Sequence, residues 1–311
     1  MLLPSGGTER KQMRQRKEQG RGVAPFTLES GGIRLTGLEA RSSQPARGLV
    51  VALHGGGYDC RYWHREGFEA GSLLLLGAQL GFDVIAFDRP GYAGSALDSR
   101  QGRTLDEQAE LLFGAIAKEN PSILFLIGHS MGGILALDMA ARDGPVCLGG
   151  IDVSGVPLRF GTERQEAVGA IAARLKGAGE THAPVGPMEV RRDIFFSDAA
   201  HFDPRLVGGP ETGHPIPLVE FDEALLAPER LPELMPQIAV PVQWTVAAHE
   251  KTSEAGREIL AVAESLLSGS RHMRTALQSN SGHNISLHHV ARAYHLRAFA
   301  FFEECLALPP A

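Results

Sequence analysis

Gly128-His129-Ser130-Met131-Gly132 constrains this chain more than any other stretch. It follows the apolar run Ser122 to Ile127, rich in Ile, Leu and Phe and of strand length. It precedes a helix-like segment, Gly133 to Arg142. A strand that turns at once into a helix leaves little room at the corner. Glycines two positions either side of Ser130 let neighbouring backbone approach without an intervening Cβ, and the serine hydroxyl is lifted clear of the sheet. The chain has 37 glycines among 311 residues, so the five-residue pattern alone is weak. Its place between a strand and a helix makes Ser130 a candidate nucleophile and not simply a turn residue.

The elements around it alternate. Phe26 to Glu29 and Ile33 to Ala40 read as a hairpin turned at Gly31-Gly32. Leu49 to Leu53 is wholly apolar, as a strand covered on both faces should be. A helix is expected from Tyr62 to about Leu80, then a strand from Asp83 to Phe87. Thr104 with Glu107 has the form of a capping box, and Leu105, Ala109, Leu112 and Ile116 follow on one helix face. Val146 to Val153, Val242 to Ala247 and Met273 to Leu277 are further strands, and a last helix runs from about Ser286 to Leu306. Strands alternating with long helices predict an α/β fold with a mainly parallel sheet, the initial hairpin forming its antiparallel edge. From Pro157 to Ile238 the rhythm stops. Prolines punctuate the segment, a helix is expected from Thr162 to Leu175, and short ones near Glu220 to Leu225. This predicts a core of residues 25–156 and 239–311 with residues 157–238 inserted as a cap. Residues 1–24, basic and with little to bury, read as a disordered tail.

A net charge of -6 gives no reason to expect nucleic acid or an anionic membrane as partner. No stretch approaches the roughly 20 apolar residues of a membrane span. Cys60, Cys147 and Cys305 are odd in number and widely spaced, which suits reduced thiols in a cytoplasmic protein. His288, His289 and His295 cluster on the expected last helix, but no carboxylate completes a ligand spacing, so no metal is expected.

Four signatures together resemble the α/β-hydrolase superfamily: His54-Gly55-Gly56-Gly57, Asp88 to Ser95, Gly128 to Gly132, and Gly282-His283-Asn284. The likeness covers roughly residues 26 to 308, with the cap only loosely matched. It implies a nucleophile, acid and histidine in that chain order. Ser130 is then the nucleophile and His283 the base. Glu250, the carboxylate just past Val242 to Ala247, is the expected acid, although the family more often has glycine and aspartate there. Asp152 is the alternative. The oxyanion hole falls to the amides of Met131 and Gly56, with Gly57 the other choice and His54 orienting the loop. Asp88 to Ser95 is expected to be structural, its carboxylate and arginine pinning the loop beneath the serine. His129 and Met131, which flank the serine, and Gly57, Tyr58, Phe195, Phe196, His201 and Phe202 are candidate pocket residues.

The resemblance implies a serine hydrolase acting on an ester, lactone or thioester of a small, bulky and apolar organic molecule, with no cofactor. A C–C bond hydrolase or acyltransferase would use the same triad. A ligand-binding homologue without catalysis is the reading from another class.

Overall fold

The computed structural model describes residues 22–209 and 213–309. The tail expected over residues 1–24 lies outside the described residues except for its last three, and the first strand already begins at Ala24. In chain order the elements are β1 (Ala24–Ser30), β2 (Ile33–Ala40), β3 (Leu49–Leu53), α1 (Leu73–Gln79), β4 (Asp83–Phe87), α2 (Leu105–Glu119), β5 (Leu124–His129), α3 (Met131–Ala140) and β6 (Leu148–Ser154). Then follow α4 (Thr162–Gly177), β7 (His182–Ala183), α5 (Met188–Phe195), β8 (Ile216–Pro217), α6 (Leu218–Leu234), β9 (Val242–Ala247), α7 (Arg257–Leu266), β10 (Met273–Gln278) and α8 (Ala291–Ala307).

Eight strands form one sheet in the order β1-β2-β4-β3-β5-β6-β9-β10. β1 pairs with β2, and β2 with β4, antiparallel; every other pairing in this sheet is parallel, and β7 and β8 pair antiparallel apart from it. The central strands are covered on both faces, and their side chains divide by the two-residue period. Leu49, Val51, Leu53, Leu124 and Leu126 pack with Leu112, Ile116 and Leu135 from α2 and α3. Val50, Ala52, Phe125 and Ile127 pack with Leu73 and Phe299 from α1 and α8. Each such burial contributes roughly 1.5–3 kcal/mol, so β3 and β5 are held by both layers. Thr104 and Glu107 close the capping box that starts α2. Among the described residues no helix is long and apolar enough to cross a membrane.

Three helices differ most from expectation. The helix expected from Tyr62 shrinks to α1, preceded by single 3-10 turns at Cys60–Tyr62 and Glu69–Gly71. Gly67 takes φ +78, which a helix does not allow, and Ser72 starts the helix afresh by accepting from the Leu75 amide. The last helix starts at Ala291, because His288 is extended and the chain from Ile285 to Leu287 makes its own turn. His288 and His289 therefore lie ahead of the helix; only His295 is on it. Finally, α6 is one helix of 17 residues that runs through Pro228 and Pro232. Burial of Glu220, Ala227 and Leu231 along one stripe offsets the missing amide donors.

Candidate active site

The carboxyl ends of β5, β9 and β10 feed three loops that meet. β5 ends at His129, and Ser130 turns the chain into α3 at φ 52, ψ -118, outside any comfortable region for a side-chain-bearing residue. The turn is held by Ser130 N donating to Ser154 O at 2.8 Å and by Gly133 and Ile134 donating to Ser130 O. There is no clearance behind it. A methyl on Gly132 would lie 2.1 Å from Leu53 O, and one on Gly128 2.3 Å from Gly132 O. Ser130 itself is partly exposed.

His283 follows β10 and is 3% exposed. Its Nδ1 lies 2.8 Å from Glu250 Oε2 and 3.1 Å from Thr252 Oγ1. Glu250, three residues past β9, has its other oxygen saturated: Lys251 N, Thr252 N and Thr252 Oγ1 all donate to Oε1, at 3.0, 2.7 and 2.7 Å. Burial works to raise this carboxyl, but His283 and the Thr252 donors outweigh it and hold the carboxyl below its ordinary range. With Nδ1 turned to the carboxylate, Nε2 is the ring nitrogen left to exchange a proton. The imidazole is packed between the rings of His129, 4.6 Å away, and Phe195, 5.6 Å away. A methyl on Gly155, just past the end of β6, would come within 2.9 Å of both His129 and His283, so the two rings meet over that strand end.

Asp152 is engaged elsewhere. It is fully buried on β6 and accepts from Tyr294 Oη at 2.5 Å and from Gln243 Nε2. Burial pushes its carboxyl up to about 6, against the pull of those two donors.

The loop from His54 to Gly57 lies beside the serine turn. A methyl on Gly55 would sit 3.1 Å from Ser130 Cβ, and one on Gly56 3.5 Å from Met131 Cγ and 3.7 Å from Ile216. His54 is fully buried; its Nδ1 donates to Gly55 O at 2.8 Å, and its Nε2 accepts from Arg89 N at 3.0 Å. Burial and the neighbouring Arg89 press its pKa well below the ordinary value, so it is neutral.

Arg89 does not pair with Asp88 as expected. Asp88 accepts from Thr36 Oγ1 and Cys60 N. The Arg89 guanidinium instead donates to His54 O at 2.8 Å and forms a two-pronged pair with Glu220 of α6, at 2.5 and 3.1 Å, both side chains fully buried. Gln108 and Tyr92 also donate to Glu220, and the Gly57 amide donates to Tyr92 Oη at 3.4 Å. His214 adds a second tie: its amide donates to Gly57 O, and its Nε2 lies 2.8 Å from Asp59 Oδ2.

Several expected pocket residues are packed away. Phe196 and Phe202 bury against each other at 4.7 Å in the core between sheet, α1 and α8. Their rings also flank His288, and large apolar rings beside a buried neutral imidazole find no reason to face solvent. Tyr58 is buried with its Oη accepting from Asn284 Nδ2 at 2.7 Å. His129 is buried and stacked on Tyr62 at 4.7 Å, so it backs the site and does not border it. His201 stacks on His249 and reaches Ser197 Oγ. Phe195, on His283, and Gly57, under His214 and Ile216, remain at the site. Thr252, Ile216 and the Arg89–Glu220 pair were not anticipated. A threonine two residues after a carboxylate, able to bond back to it, was the one local signal available. A cleft of about 410 Å³ is lined by His288 together with Trp63, Phe68, Leu206, Leu287 and Arg292 among others, and does not include Ser130. Asp59, Cys60 and Asp88 bring metal-type donor atoms within 4.8 Å of one another, but both carboxylates already hold protein donors.

Compared with known proteins, residues 50–300 match the model of the alpha/beta hydrolase family. A stretch of 119 residues, 38% of this chain, is 33% identical to 2-succinyl-6-hydroxy-2,4-cyclohexadiene-1-carboxylate synthase of Escherichia coli K12, and spans 42% of that relative's length. Among solved structures, a highly thermostable carboxyl esterase from Bacillus coagulans superposes with a TM-score of 0.65 at 20% identity, over 92% of this chain and 97% of that one. The enol-lactonase from Burkholderia xenovorans LB400 gives 0.63 at 15% identity, over 89% and 100%. At such identities the likeness is one of fold.

Proposed function

The chain belongs to the alpha/beta hydrolase family, and from that premise we propose that it is a serine hydrolase in which Ser130, His283 and Glu250 act as nucleophile, base and acid. The observation that carries this reading is the buried His283–Glu250 hydrogen bond, with the His283 ring 4.6 Å from that of His129, the residue that precedes a serine on a strained turn. Ser130 Oγ attacks the substrate carbonyl carbon while His283 Nε2 takes its proton. Glu250 holds the Nδ1–H tautomer and stabilises the imidazolium. The amides of Met131 and Gly56 receive the oxyanion, the first at a helix N-terminus where the dipole favours negative charge. His283 then protonates the leaving group. Water cleaves the acyl-enzyme with His283 again as base.

Residues 157–238 act as a cap over the carboxyl edge of the sheet. The substrate is an ester, lactone or thioester of a small apolar organic molecule, which suits the apolar neighbours Ile216, Phe195 and Met131. The second reading keeps the triad but has it cleave a C–C bond or transfer an acyl group; that the Escherichia coli relative is a synthase by name supports a reaction other than ester hydrolysis. Product analysis with and without competing alcohols separates water from other acceptors.

Ser130→Ala is expected to lower hydrolysis of short p-nitrophenyl esters by about 10³-fold or more and to abolish labelling by a fluorophosphonate probe. Undiminished turnover in a folded variant would remove the serine from the mechanism.

A further inference from the structure

We propose that His288 is a positioning residue for His283: its ring grips the main chain on both sides of His283 and ties that turn to residues 195–202. The inference rests on the reading of His283 as base. Gly282 N donates to His288 Nε2 at 3.1 Å, and His288 Nδ1 donates to Asn284 O at 2.8 Å. The residues before and after His283 are thus bound to one imidazole. The same Nε2 accepts from Ser197 N at 3.3 Å. Asn284 N donates to Phe195 O at 3.1 Å, His289 N to His201 O at 2.8 Å, and Phe202 pairs with His288 as an isolated antiparallel bridge. A methyl on Gly282 would strike the Phe196 backbone at 2.6 Å, so the two segments are in direct contact there.

The chemistry allows one form of the ring. An Nε2 that accepts two amide protons carries no proton, and Nδ1 must carry one to reach the carbonyl. His288 is 4% exposed and wedged between Phe196 and Phe202. The charged forms that oppose its protonation are those of His201 in the 3-10 turn Ala199–His201, of the adjacent His289, and of His249 in the turn after β9. Burial, and secondarily those imidazoles against the pull of Asn284 O, press His288 down to about 4, so the required neutral form is the one present near pH 7.

What the grip secures is direction. Glu250 fixes one corner of the His283 ring, but the ring's Cα position depends on a turn with no secondary structure of its own. Fixing the peptide units on both flanks places that Cα. A displacement of about 1 Å at such a base costs on the order of 10²-fold in rate.

The test compares His288→Phe, which keeps the ring and removes both nitrogens, with His288→Gln, whose Oε1 reaches the place of Nε2. Phe202→Leu loosens the same packing without touching the bonds, and His283→Ala reports on the base itself. His288→Phe is expected to lower kcat for p-nitrophenyl esters about 10- to 100-fold, with KM changed far less. His288→Gln recovers most of that loss. Phe202→Leu lowers the thermal midpoint while keeping kcat. A folded His288→Phe enzyme with wild-type kcat, alongside an inactive His283→Ala, overturns the proposal; so does an equal loss of kcat in Phe202→Leu, which would make packing the cause. If His283→Ala itself remains active, the base assignment has failed instead, and the grip has nothing to position. Should His288→Phe not fold, amide exchange in the wild-type protein decides. Slow exchange at Gly282 and Ser197 is expected, and exchange at the rate of an open loop is the contrary result.

Discussion

Two parts of the segment between β6 and β9 press on the site, and they are fastened by opposite means. Residues 213–234 hold the loop at His54 to Gly57 through a fully buried ion pair, Arg89 with Glu220. Residues 188–202 hold the turn of His283 through a neutral imidazole and backbone bonds. A guanidinium stays charged at any pH the protein meets. Burial works against that charge, but Glu220 more than compensates and keeps Arg89 above its ordinary value. An imidazole grips only while unprotonated. The contrast teaches that one half of the machinery is fixed across pH and the other is conditional on it. It also assigns different failure modes. Breaking a buried charge pair leaves an orphan charge, whereas breaking a neutral clamp leaves a loose turn.

The largest effect tests the charged side. Glu220→Met strands Arg89 in the core, and urea unfolding should show a loss of about 3–5 kcal/mol. Adding Arg89→Met should return much of that stability but not the turnover, because His54 O then lacks its guanidinium donor. A double variant no more stable than the single one would dissolve the contrast. Next comes the neutral side. His288 titrates at about 4 in the folded chain against an ordinary 6.5, so the unfolded chain takes up its proton first. Its contribution is complete above 6.5 and fades as pH falls toward 4, by about 3 kcal/mol over the whole window. His295, held down to about 3 by its own burial, adds slope of the same sign, so the quantity to read is wild type minus His288→Gln. Parallel stability curves for the two proteins between pH 7 and 4.5 would count against the clamp. The smallest effect falls on Glu250. Thr252→Val removes one hydroxyl donor but leaves both amides on Oε1, and kcat should drop only about 3- to 10-fold.

The sheet was largely readable from the chain because its signals are local. Leu49 to Leu53, Asp83 to Phe87 and Val242 to Ala247 are strands to the residue, and the Thr104–Glu107 box marks the start of α2. The serine turn announces itself through glycines that the backbone contacts require. Pairing over distance is another matter. That Glu250 would meet His283 was accessible only through the family resemblance. Glu220 lies 131 residues from Arg89, and the proximity of Asp88 suggested the wrong partner. α6 looked broken because two prolines argue against a helix locally, while the buried stripe that overrules them is a property of the assembled core. His288 was assigned to a helix, since nothing in the adjacent residues reveals that its ring is needed to bond two amides from elsewhere.

The tight backing of Ser130 has a practical corollary for anyone recasting the molecule's specificity by directed libraries. The turn is braced by main-chain atoms of Leu53, Ser154 and Gly132, none of which changes when a codon at Ile216 or Phe195 is randomised. On the proposed reading of the site, walls and nucleophile are therefore separable design variables, and diversity belongs on the former while Gly128 and Gly132 stay constant.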